Sequence, residues 1–66
     1  MIENIEWPTL INRRLLLADA MTGVRRWELT LLELSPNGEY GKFRNEIAKT
    51  QFWDNLGELE VLDILR

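Results

Sequence analysis

The sequence predicts an all-β domain: five short antiparallel strands that run as a meander and curl into a small barrel. Three observations carry this. Apolar and polar residues alternate with period two between residues 24 and 34, where Trp27, Leu29 and Leu31 interleave with Arg26, Glu28 and Thr30. Turn-forming residues recur at short intervals, at Thr22-Gly23, Ser35-Pro36-Asn37-Gly38 and Asp54-Asn55-Leu56-Gly57. All 66 residues form one domain, with no repeat, low-complexity tract or linker to divide them.

Residues 1–12 read as a lead-in, irregular or briefly helical, in which Ile2, Ile5 and Trp7 are apolar and Pro8 lacks a backbone donor. Trp7 is placed to cover one end of a barrel. Residues 9–22 support two readings. Thr9 is positioned to cap a helix that ends at Gly23. The same stretch, RLLLADAM followed by Thr22-Gly23, also reads as a strand entering a tight turn, and this reading is preferred. Residues 24–34 form the clearest strand. Its phase slips after Leu31, since Leu32 and Leu34 are apolar and Glu33 is not. A one-residue slip exchanges the faces of a strand, so a bulge is expected at Leu31-Leu32.

Ser35-Pro36-Asn37-Gly38 is the strongest turn signal. A strand over Glu39–Ile47 follows. Its odd positions, Gly41, Phe43 and Ile47, form one set, and its even positions, Tyr40, Lys42, Arg44 and Glu46, form the outward set. A reversal near Ala48-Lys49 leads to Thr50-Gln51-Phe52-Trp53. Adjacent residues of a strand face opposite sides, so one of Phe52 and Trp53 belongs to the core and the other to the surface. Asp54-Asn55-Leu56-Gly57 reads as a 3₁₀ turn, and Glu58–Leu65 as a closing strand, with a terminal amphipathic helix as its alternative. Five antiparallel strands joined this tightly close most simply into an SH3-like barrel, which leaves few free edges.

The residues from 31 to 65 carry a resemblance. LLELSPNGEYGKFRN and TQFWDNLGELEVLDIL are similar to the short SH3-like barrel proteins of phages, prophages and archaea. The matching positions are Ser35, Pro36, Gly38, Tyr40, Lys42, Arg44, Asn45, Trp53 and Val61-Leu62. The likeness covers residues 28–65, and the first 22 residues have no counterpart in it. It implies an architecture and brings no catalytic residues.

Composition limits the chemistry. Hydrophobic residues are 45% and charged residues 29%, ordinary values for a folded domain. Histidine and cysteine are both absent, which removes the commonest general base, the thiol nucleophile, disulfides and the usual transition-metal ligands. The one serine, Ser35, precedes a proline in a turn, where its hydroxyl is expected to bond the backbone. Asp54, Glu58, Glu60 and Asp63 lack calcium-loop spacing and read as the solvated, edge-protecting face of the last strand. The glycines show no phosphate-loop spacing, and Gly41 marks a bulge or a close backbone approach. No cofactor, metal or small-molecule substrate is expected.

Net charge is −3, with eight basic and eleven acidic residues, too mild to imply nucleic acid. The longest strictly apolar run is Leu15–Ala18, far below the about 20 residues of a bilayer span, and MIENIEWP lacks a basic start. A cytoplasmic location is therefore expected. The outward stripe Tyr40, Lys42, Arg44, joined by Trp53, is the candidate partner-binding surface. The favoured reading is a non-enzymatic module that binds a protein or a second copy of itself, in the manner of a phage-type accessory or inhibitor. The alternative is a nucleic-acid-binding barrel, with Arg13, Arg14, Arg25 and Arg26 extending the basic stripe.

Overall fold

The computed structural model describes residues 6–23 and 26–65. Ile2, Ile5, Arg25 and the side chain of Arg26 lie outside the described residues. A 3₁₀ turn, η1 (Trp7–Leu10), precedes strands β1 (Arg14–Asp19), β2 (Arg26–Leu34), β3 (Tyr40–Asn45) and β4 (Thr50–Asn55). A second 3₁₀ turn, η2 (Leu56–Glu58), then leads into β5 (Leu59–Leu65). The strands make one antiparallel sheet in the order β4-β3-β2-β1-β5.

The all-β class and the five strands agree with the sequence, while closure differs. β1 to β4 form a meander, but β5 pairs with β1 and not with β4, so the sheet is open. Burial explains the choice. Pairing beside β1 sets Val61 opposite Leu17 and Ile64 opposite Leu15, which extends the apolar layer. Leu15, Leu17 and Val61 are fully buried there. Burying each such side chain stabilises the fold by about 1.5–3 kcal/mol.

The strand reading of residues 14–19 holds, and the helix reading fails: β1 alternates Leu15 and Leu17 inward with Leu16 between them. Thr9 caps no long helix; its hydroxyl donates to the Glu6 carbonyl inside η1. Trp7 packs against the core and meets Phe43 edge-on, with ring centroids 6.4 Å apart.

β2 carries the expected bulge. Its register against β3 shifts between Leu31 and Glu33, so that Leu31 opposes Phe43 and Leu34 opposes Gly41 on the inner side, with Glu33 outside. One nine-residue strand thereby keeps an apolar inner face along its whole length. Thr30, assigned outward by alternation, is nonetheless buried, because Arg14 and Arg44 on the neighbouring strands flank it.

Two further assignments change. Ile47 is 84% exposed, since β3 ends at Asn45 and residues 46–49 form the turn that reverses the chain. Neither Phe52 nor Trp53 is a core residue; they are 37% and 49% exposed. β4 lies at the sheet edge with nothing described on its far side. Phe52 still has inner phase and tilts onto Phe43 at 6.2 Å.

Gly41 is a close-approach position. A Cβ there would stand 2.9 Å from Leu56 Cδ2, 3.0 Å from Leu31 Cδ1 and 3.1 Å from Phe43 Cε2. Overpacking of this kind costs about 1–3 kcal/mol, against about 0.5–1 kcal/mol recovered from the lost freedom of glycine. Gly41→Ala is expected to destabilise by about 1 kcal/mol net and Gly41→Val by more, measured by urea denaturation. The cost of Gly41→Ala should shrink in a Leu56→Ala background, because the nearest obstructing methyl is gone.

Candidate functional site

Two polar turns hold the β3–β4 hairpin and so fix which side chains meet on it. At its entry, Gly38 adopts φ +75° and donates its amide to the Ser35 carbonyl at 2.9 Å. Ser35 Oγ accepts from the Tyr40 amide and donates to Asn37 Oδ1, and Asn37 Oδ1 accepts from the Glu39 amide. Ser35 is thus a turn residue, as its sequence context suggests. At the hairpin tip, Asn45 Oδ1 accepts from the Ile47 and Ala48 amides, and Lys49 takes φ +58° while donating to the Asn45 carbonyl. Where β4 ends, back beside that entry, Asn55 Oδ1 accepts from the Gly57 amide and starts η2.

Register then places the candidate residues. Tyr40 opposes Asn55, Lys42 opposes Trp53 and Arg44 opposes Gln51. Gly41 and Phe43 are buried, so Tyr40, Lys42 and Arg44 share the outer face. Trp53 lies on that face too, directly across from Lys42 and diagonal to both Tyr40 and Arg44. Diagonal neighbours across an antiparallel pair lie about 7–8 Å apart, within reach of aromatic and long side chains. The four candidates therefore form one cluster centred on Trp53. Tyr40 is 43% exposed and Trp53 49%, while Lys42 and Arg44 are half-buried.

Glu46, which alternation shows only as one more outward residue, is the missed member. Arg44 Nε donates to Glu46 Oε1. The Arg44 guanidinium holds the Glu46 carboxyl below its ordinary pKa, and the Thr30 hydroxyl lowers it further. The same pattern recurs around the stripe. Arg14 Nη2 bonds Glu28, and Lys42 stands opposite Glu33 on β2. The Arg14–Glu28 pair is solvent-exposed and the Arg44–Glu46 pair part-buried, and surface pairs of this kind add little to stability. Their main effect here is on the field, because each cation of the face has an acid beside it. Arg13, named as an extension of the stripe, is exposed just before β1.

The acids of the last segment do not converge. Asp54 Oδ1 accepts from the Asn55 amide and Asp63 Oδ1 from the Ile64 amide, while Glu58 ends η2 and Glu60 lies in β5. Among the described residues, no group of three or more acids is placed to hold a metal ion, and no helix is long and apolar enough to cross a membrane. An open cleft of about 440 Å³ adjoins the Tyr40 end of the face, lined by Trp7, Gly38, Glu39, Asn55, Leu56 and Gly57. The Glu39 carbonyl at its wall accepts from the Leu56 amide at 2.9 Å. No family model, curated protein or solved structure matches this chain.

The depressed Glu46 pKa sets a pH dependence. A carboxyl with a lower pKa in the folded state adds stability above its unfolded pKa and loses it as pH falls through the folded one. NMR titration is expected to put the Glu46 midpoint below that of an unstructured glutamate. Arg44→Ala should move it upward, because the largest cause of the shift is removed. Glu46→Gln should flatten the stability profile in the same acidic window. An unshifted midpoint would show that the Arg44–Glu46 contact does not persist in solution.

Proposed function

We propose that the chain is a non-enzymatic protein-interaction module of SH3-like barrel type that docks a protein partner through Tyr40, Lys42, Arg44 and Trp53. The strand order, the kinked β2 and the short η2 link support the barrel assignment, since each brings the two sheet edges toward one another. The observation that carries the functional reading is the register of β3 on β4, which gathers two half-exposed aromatics and two cations on one face. Tyrosine, tryptophan and arginine dominate the energetics of protein interfaces. Burial of Tyr40 and Trp53 supplies the affinity. Lys42 and Arg44 orient the partner by bonding its carboxylates or carbonyls. An accessory or inhibitor role in the cytoplasm, of the kind phage proteins perform, fits the size and the resemblance.

Acid pairing of the cations favours a protein partner over nucleic acid. A phosphate backbone is bound through uncompensated positive charge, and Arg14 and Arg44 are each engaged by a glutamate.

Tyr40→Ala and Trp53→Ala are each expected to weaken partner binding by about 2 kcal/mol or more while leaving the melting temperature nearly unchanged. The measurement is affinity capture followed by titration of the recovered protein, with Met21→Ala, 88% exposed on the turn after β1, as the control. Equal losses for the control, or binding of single-stranded oligonucleotides that falls steeply with salt, would sink the proposal.

A further inference from the structure

The two edges of the sheet are built differently. β5 carries Glu60 and Asp63, with Glu58 just before it. Such charges discourage pairing with another strand. β4 is less protected, since its one charge, Asp54, lies near the end of the strand. Thr50-Gln51-Phe52-Trp53 contains no charge, proline or glycine, and all four residues are exposed. Among the described residues β4 pairs with β3 alone, and an edge strand offers its outer backbone donors and acceptors for pairing.

We propose that β4 is a pairing edge for a second copy of this chain, joined antiparallel about a two-fold axis at Phe52. Three features single out this occupant. An axis at Phe52 sets Phe52 against its own counterpart on the inner side and Gln51 against Trp53 on the outer side. The apolar Phe52 rings then meet one another at the centre, and each strand keeps its faces. It also sets Thr50 against Asp54, so no like charges oppose one another. An axis at Trp53 would instead put Phe52 against Asp54, an apolar ring against a carboxylate. The contact is self-complementary, which a symmetric dimer requires.

The size of the contact sets its strength. One six-residue strand pair covers less than the about 1,200 Å² typical of stable complexes. The dimer is therefore weak, with a Kd on the order of 100 µM, and it forms as concentration rises. Tyr40 and Arg44 stand on β3, one strand in from the edge, so the dimer leaves them uncovered. This inference does not rest on the proposed docking face. Tyr40→Ala is expected to leave the dimer unchanged, which separates failure of one proposal from failure of the other.

Sedimentation equilibrium of the full chain over a wide concentration range tests it, together with two substitutions at the exposed Thr50. Thr50→Asp faces Asp54 of the second copy at two symmetric positions and is expected to raise the Kd about three- to tenfold. Thr50→Lys faces the same carboxylate and is expected to lower it by a similar factor. Concentration-dependent amide shifts should be confined to β4 and its turn. A monomer at every concentration overturns the proposal. So does a dimer in which the two substitutions act in the same direction or not at all, or one whose amide shifts map to β5.

Discussion

A short link governs this fold. Five strands laid flat at about 4.8 Å spacing would hold the two outermost about 19 Å apart. Yet β4 and β5 are those outermost strands, and only the three residues of η2 join them. Such a link spans at most about 15 Å when fully extended, and less as a 3₁₀ turn. The sheet must therefore curl until its edges approach. The near-equal extents of the molecule, 28 × 24 × 21 Å, record that curl. Leu56, the first residue of η2, is itself buried, so the link also fills the core that it helps to close.

Curling has local requirements, and they locate the candidate face. The bulge at Leu31–Glu33 bends β2 while keeping Leu31 and Leu34 inside. Gly41 lets β3 approach Leu56 and Leu31 more closely than any side chain would permit. With Gly41 and Phe43 committed to the inner side, Tyr40, Lys42 and Arg44 have only the outer side left. Trp53 follows through its pairing with Lys42. The outer cluster is thus a consequence of inner packing, and a slip of one residue in β3 would turn all of it inward.

Local signals in the sequence were strong where local chemistry decides the outcome. Pro36-Asn37-Gly38 marks its turn because only a few residue types adopt those dihedrals. Alternation marked Leu29, Leu31 and Phe43 as core because each strand buries one face. What was not legible depends on distant partners. No local feature of Leu59–Leu65 says that it pairs with β1 in preference to β4. Phe52 has inner phase but stays 37% exposed, because exposure depends on whether a sixth strand lies beside β4. Ile47 kept the correct parity for the core but fell beyond the end of β3, where parity has no meaning. The three outward residues of β3, Tyr40, Lys42 and Arg44, could be grouped from parity alone. Trp53 was joined to them from the sequence, but its place directly opposite Lys42 needed the cross-strand register, and the role of Glu46 needed the turn geometry that folds it back toward Arg44.

The acids around the face change what its cations contribute. A free arginine on a surface gives up well-ordered water when it binds, and it loses the entropy of a long side chain. Arg44 is already held by Glu46, so part of that ordering cost is met within the fold. The same bond weakens its long-range attraction, since the two charges cancel at distances beyond the Debye length of about 8 Å. For the partner proposed above, steering from afar is therefore slight and discrimination falls to contact. A carboxylate or carbonyl that reaches Arg44 has to share it with Glu46, and one that reaches Lys42 meets Glu33 beside it. Acidic partners without an aromatic or apolar patch gain little from such a face. Those that cover Tyr40 and Trp53 gain the burial of both rings, and they meet cations whose geometry is set before contact.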